Sequence, residues 1–290
     1  LIDDVVGKIT LLGGRFVQQL AQVGERLQAV EHRWHIADAQ GERQISARLL
    51  VGADGTRSAV REALGIASYE HDYGQTLFVA RMRTEQAPDG TAYERFGEHG
   101  PTALLPRGDR HFGVVHGVAT AEAEAVAALD DAAWIERIQG VFGWRVGRFL
   151  STGERSTYPI TKLVAERTTA DRAVVVGNAA QSLHPIGAQG FNLGLRDALT
   201  LAELIEQADD PGAASLLDAY AQRRSEDRQR TLQFSDGLAR ITGNASPLLR
   251  PLRSVGLLAA DTSGALQSML VGGAMGFRGD VPALCREAGR

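Results

Sequence analysis

Residues 174–196 read VVVGNAAQSLHPIGAQGFNLGLR, and this stretch carries the densest set of chemistry-bearing positions in the chain. Gly177, Gly187 and Gly190 punctuate it, with Asn178, Pro185, Gln189, Phe191 and Asn192 between and after them. Glycine lets the backbone come close to a ligand, so amide N–H groups here can meet an anion directly. The apolar run 173–176 ahead of the loop suits a buried parallel strand. Beyond it, Leu193, Leu195, Ala198, Leu199, Leu201, Ala202 and Leu204 recur at mostly helical spacing, which predicts a helix from near Gln189. Strand, glycine-rich loop and helix N-terminus together form an anion-binding arrangement. An ordinary strand-to-helix connection uses the same glycines, so spacing alone leaves both readings open. His184 is the one imidazole in the stretch, a candidate base or hydrogen-bond acceptor and equally a structural histidine beside Pro185.

A second stretch, residues 51–61, reads VGADGTRSAVR. Asp54-Gly55 alone is a turn signal. Here an apolar run at 47–51 leads into it, and Ser58 stands where an N-cap would open a helix through Arg61. Arg57 reads as a solvated loop charge.

Taken together, Gly177-Asn178-Ala179-Ala180, His184-Pro185 and the GAQGFN run at 187–192 closely resemble the second flavin motif of the aromatic-ring flavoprotein monooxygenases. The usual form there is G-D-A-A-H followed by P-x-x-G-x-G-x-N; Asn178 replaces the Asp and Gln181 the His. That G-N-A-A-Q variant looks like the branch that hydroxylates 2-polyprenyl-6-methoxyphenol in ubiquinone synthesis. The stretch around Asp54 resembles the family's D-G motif, near the flavin pyrophosphate and ribose, which also helps admit NAD(P)H; Arg61 matches its arginine. The resemblance therefore implies FAD and NAD(P)H as cofactors. It assigns cofactor binding to Asp54, Gly55, Arg61, Gly177, Asn178, Pro185, Gly187, Gln189, Gly190, Phe191 and Asn192.

The implied partners are a polyprenyl phenol, molecular oxygen and other ubiquinone-biosynthesis proteins, with peripheral membrane contact. A helix N-terminus near 189–192 would stabilise the negative charge of reduced flavin. The cofactor carries the oxygen chemistry, while the protein orients the ring and excludes water. A phenol reacts better as its phenolate, which is the reason to name His184 as a catalytic candidate. Three rivals remain: a hydroxylase of a small aromatic acid, with Arg81 or Arg83 as the fixed cation; an isoprenoid reductase of the same fold; and a non-catalytic lipid-binding or assembly subunit.

The elements that must position these residues follow the same resemblance. It implies an α/β, Rossmann-like FAD-binding domain incomplete at its N-terminus, an inserted antiparallel β-sheet substrate domain, and C-terminal helices. The corresponding boundaries are 1–66, 67–161, 162–243 and 244–290. A G-x-G-x-x-G loop is missing, since Gly13-Gly14 has neither its spacing nor its context. The expectation is that roughly the first hundred residues of a protein of about 400 are absent, and that this chain alone is inactive.

Strands are expected at 8–12, at 34–36 and 44–46 around a Gln40-Gly41 turn, and at 47–51. The run 16–30 fits a helix by spacing and twisted strands by resemblance. Further strands are expected at 75–83, 93–96, 102–105 and 112–118, with one helix over 121–138, and the run 155–164 leads back toward the flavin motif. After the flavin loop, a helix runs to Gln207 and a long helix spans 213–242. The mixed charges at 223–230 read as a solvated helix face with i,i+4 pairs. Residues 248–270 read as a core helix, or as a surface for a membrane or partner.

Composition narrows the classes. The chain has 290 residues, 44% hydrophobic, and a formal charge of −4, so it lacks the basic footprint of a nucleic-acid binder. Its single cysteine, Cys285, fits a reducing compartment, expected to be cytoplasmic and peripheral to the inner face of a membrane. No apolar run is long enough to span a bilayer.

Overall fold

The computed structural model describes residues 15–18, 32–38, 41–97, 99–242, 256, 262–264, 267–268 and 281–285. The expected strand at 8–12, the Gly13-Gly14 turn and nearly all of 248–270 lie outside the described residues.

Three sheets form the framework. In the first, β1 (Arg15–Gln18), β2 (His32–Asp38) and β3 (Gly41–Ala47) pair antiparallel in that order. The described part of the ambiguous run at 16–30 is thus strand. β2 and β3 pair from His32↔Ala47 to Asp38↔Gly41, as the turn signal at Gly41 requires.

The second sheet holds β4 (Leu50–Gly52), β11 (Thr169–Ala170) and β12 (Ala173–Val175), with β12 between the other two. β4 and β12 run parallel, pairing Ala173↔Leu50, Val174↔Val51 and Val175↔Gly52. The expected single strand at 47–51 is in fact the end of β3 and the start of β4. Arg48 breaks it, because its carbonyl accepts from Arg172 Nε at 2.8 Å and leaves the ladder. β12 is wholly buried, which accounts for its unbroken apolar run. Leu50, Val60, Leu64, Ala173 and Val175 pack in one cluster. Val174, Val176, Leu201, Leu216, Leu217 and Tyr220 pack in another.

The third sheet is antiparallel and seven-stranded. Its strands are β5 (Ser68–Thr84), β6 (Tyr93–Gly97), β7 (Gly100–Pro106), β8 (His111–Ala119), β9 (Phe149–Thr152), β10 (Ser156–Ala165) and β13 (Gln181–Ser182). The order is β13-β10-β5-β8-β7-β6, with β9 on the end of β5. Phe78, Met82, Leu104, Phe112 and Val114 on one face pack with Trp134 and Ile138.

The helix expected over 121–138 is two helices, α2 (Ala123–Ala127) and α3 (Asp131–Phe142). Asp130 separates them: its carboxylate accepts from Ala133 N at 2.8 Å and starts α3 afresh. α1 (Ala59–Ala63) follows β4, α4 (Gln189–Glu206) follows the flavin-like loop, and α5 (Ala214–Thr242) packs along α4.

Candidate functional site

Because β4 and β12 are adjacent and parallel, the loops that follow them leave the sheet at the same end. The pairing extends one step further, Val176 N donating to Gly52 O at 2.9 Å. This is the carboxyl edge, where open α/β sheets bind their ligands. Asp54 accepts from Ser58 Oγ at 2.5 Å and from Val60 N at 3.1 Å, which folds its turn back over the start of α1. Ser58 also caps α1 as the sequence implies, accepting from Arg61 N at 2.9 Å. Gly55 sits at φ 83°, a conformation costly for any other residue. Arg61 is buried, and its Nη1 donates to Ala179 O at 2.9 Å, tying the Asp54 loop to the 177–180 loop.

The rest of the motif meets this edge through α4. Gly177 adopts φ 58°, and a Cβ added to Gly194 would lie 3.1 Å from its Cα. Gly194 was not among the expected site residues. Its signal was present, since a glycine inside a helix costs stability and calls for a packing reason. Gly187 is left-handed at φ 73°, and Ala188 at φ 51° stands at the N-cap of α4 without a side-chain hydrogen bond. No acidic residue occupies the first turn. The helix start therefore receives no negative charge from its own first turn or cap, and it suits an anionic group. An added Cβ at Gly190 would meet nothing within 4 Å, and Phe191 is 78% exposed, so this edge is open. Asn178 and Pro185 are exposed and Asn192 half-buried, while Gln189 is buried and donates to Gly187 O at 2.9 Å. A phosphate-bearing dinucleotide fits this edge, which combines two glycine-containing turns with an open helix N-terminus.

His184 lies behind the loop. Ile186 N donates to its Nδ1 at 3.2 Å, so Nε2 carries the proton and donates to Gln75 Oε1 on β5 at 3.0 Å. Tyr73 stands edge-on to the ring at 4.8 Å. Burial lowers the His184 pKa to about 4, with Asp236 opposing the shift, which leaves the imidazole neutral near pH 7.

The charges at 223–230 depart most from expectation. Arg224 and Asp227 are 1% and 6% exposed, not solvated. Arg224 donates to Asp197 Oδ1 at 2.8 Å and to Asp227 Oδ2 at 2.7 Å, and Arg196 Nε donates to Asp227 at 2.7 Å. The carboxylates came from α5 and, unseen in the sequence, from α4, so the face is an internal ion network. Arg230 and Glu226 do form the expected i,i+4 surface pair.

Fold and site together define a flavin-binding α/β protein with an antiparallel sheet attached. Residues 12–235 match the FAD binding domain family, and the chain belongs to it, as the resemblance of its two motifs implied. It is 35% identical over 236 residues to the ubiquinone hydroxylase UbiL of Rhodospirillum rubrum, covering 80% of this chain and 55% of that protein. It is 36% identical over 183 residues to the ubiquinone hydroxylase UbiM of Neisseria meningitidis, covering 62% of this chain and 40% of that protein. The chain thus spans about half the length of these curated relatives. The solved structure of the Diels-Alderase PyrE3 superposes with a TM-score of 0.70 at 22% identity, over 93% of this chain and 57% of that one. That likeness concerns the fold, which hosts more than one chemistry.

Proposed function

We propose that this chain forms the flavin edge and substrate sheet of an FAD- and NAD(P)H-dependent monooxygenase that hydroxylates the ring of a polyprenyl-methoxyphenol in ubiquinone biosynthesis. The observation that carries this is the meeting of the Asp54 and Gly177 loops on paired parallel strands, linked by Arg61. The names of the relatives support the reaction class. FAD, when bound, supplies reduction by NAD(P)H and activation of oxygen. The protein's part is to hold phosphates and ring, orient the phenol and keep water out. Backbone amides near Gly55 and Asn178 would suit the phosphate and ribose region, and the start of α4 would stabilise the charge that develops on reduction.

The antiparallel sheet supports an apolar substrate. Phe78, Ala80 and Met82 are buried in the core with Trp134 and Ile138, so Gln75, Leu77 and Val79 point to the opposite face. Gln75 on that face receives the His184 hydrogen bond, so the face begins at the flavin loop. Leu77 pairs with Tyr158, Val79 with Val115, and Val115 with Ala103, giving an apolar floor. Arg81, on the same face, is ion-paired to Asp109, and Arg83 is exposed beyond it. A small aromatic acid would need an unanswered cation, which Arg81 does not offer. We read His184 as a positioning group, because both ring nitrogens are engaged and the ring stays neutral. A lipid tail on the substrate implies peripheral membrane contact on the cytoplasmic face and association with other enzymes of the pathway. Among the described residues, no helix is long and apolar enough to cross a membrane.

The test uses a polypeptide carrying this chain at the length of its relatives, with FAD, NADH or NADPH, oxygen and a short polyprenyl-methoxyphenol. Product gaining one oxygen atom, matched by loss of NAD(P)H and oxygen, is expected. A reduced isoprenoid double bond, or lipid binding with no turnover, would replace this reading with a reductase or a binding subunit.

A further inference from the structure

The 177–181 loop is held from behind by its own Gln181 and by side chains from α1, α4 and α5. Asp197 Oδ2 on α4 accepts from Gly177 N at 3.1 Å and from Gln181 Nε2 at 2.7 Å, so one carboxylate oxygen grips both ends of the loop. The other oxygen is held by Arg224 Nε at 2.8 Å. Arg228 on α5 donates Nε to Gln181 Oε1 at 2.7 Å, and its Nη2 reaches Ala165 O at 2.6 Å and Ala180 O at 3.3 Å. Arg61 takes Ala179 O from the third side. Gln181 and Asp197 are each 2% exposed, whereas Asn178 at the tip of the loop is exposed. Every gripping contact therefore acts from the interior and leaves the outward side of the loop to a ligand.

We propose that Gln181, Asp197 and Arg228 are positioning residues that fix the ligand-facing shape of the 177–181 loop, with the Gln181 amide as the joint between the two helices. The joint requires one donor, toward Asp197, and one acceptor, toward Arg228. A glutamine amide supplies both, and so does a neutral imidazole, with one N–H and one bare nitrogen. Histidine, the usual residue of the resembling family at this place, therefore satisfies the same joint, whereas leucine supplies neither group and leaves buried polar atoms unpaired. The loop's role toward a flavin rests on the function proposed above; the clamp itself rests on the geometry alone.

Amide hydrogen exchange on the purified 290-residue chain, without flavin, tests the clamp. In Gln181→Leu, protection of the Gly177 amide is expected to fall about tenfold or more, while Val114 in the antiparallel sheet keeps its protection. Gln181→His is expected to stay within about threefold of the parent at both sites. Unchanged protection at Gly177, or loss at Gly177 and Val114 together, would overturn the clamp. FAD affinity, read by flavin fluorescence, is expected to fall about tenfold or more in Gln181→Leu and to be kept in Gln181→His. A loosened loop with undiminished FAD affinity would overturn the positioning role. A parent that binds no FAD at either length would instead count against the flavin reading and leave the exchange result standing.

Discussion

The layer over the antiparallel sheet and the seam between α4 and α5 are both buried, but they are filled in opposite ways. Against the sheet, Trp134 and Ile138 meet Phe78, Phe112 and Val114 in an apolar cluster, with His116 and the Arg155 guanidinium only against the Trp134 ring. Between α4 and α5, Arg196, Asp197, Arg224 and Asp227 meet instead, all nearly inaccessible. Apolar packing is tolerant of exchange at equal volume, whereas a buried ion network depends on each partner being present. The first region supplies cohesion to the substrate sheet. The second sits directly behind the flavin-like loop and gives that loop fixed hydrogen-bond directions.

The comparison breaks hardest at Asp227. Asp227→Ala would leave Arg196 and Arg224 facing each other without their shared carboxylate, an expected loss of about 3–5 kcal/mol in denaturant unfolding. A loss under about 1 kcal/mol would mean that the seam is no more demanding than a surface pair.

Acid acts through two buried histidines, His116 in the sheet and His184 behind the flavin-like loop. His116, in the sheet, accepts from Arg137 and hydrogen-bonds Thr102. Burial and then Arg137 lower its pKa to about 4, as burial does for His184. Folded, both rings bind fewer protons than in the unfolded chain, so their contribution is complete above about pH 6.5 and is lost as pH falls toward 4. The ceiling is about 3 kcal/mol for each ring. Urea melts between pH 4 and 7 should show this slope, and His184→Gln should remove about half of it; an unaltered slope would mean that His184 does not carry the shift.

The smallest effect sharpens the contrast. Ile138→Val in the sheet layer removes one methylene and is expected to cost about 0.5–1.5 kcal/mol by the same unfolding measurement. A cost matching Asp227→Ala would erase the distinction between the two regions.

Much of this site was legible in the sequence, and the reasons are local. Gly177, Gly187 and Gly190 occupy a fixed spacing between an apolar strand and a periodic helix, and Ser58 stands where an N-cap must stand. The long helix α5 and strands β5 to β8 were legible from their patterns, with β5 extending beyond the expected limits, whereas β9, β10 and β13 were not read as strands. The ion network was illegible because alternating charges on a helix look the same whether water or another helix answers them. Its partners in α4 lie about 30 residues away, with no pattern linking them. The Gln75–His184 bond joins residues still farther apart. The break between α2 and α3 was legible but missed, since Asp130 is a capping residue ahead of a fresh helical turn.

The central claim is that the start of α4 lies against a flavin, and Gly190 tests it most directly. A Cβ added there meets nothing outside its own stretch of helix within 4 Å, so Gly190→Val is expected to keep the fold and to intrude on what the site binds. With FAD affinity and thermal unfolding measured on the same sample, the account expects affinity to fall about tenfold or more while the unfolding midpoint stays put. A folded Gly190→Val variant that binds FAD as tightly as the parent would contradict it.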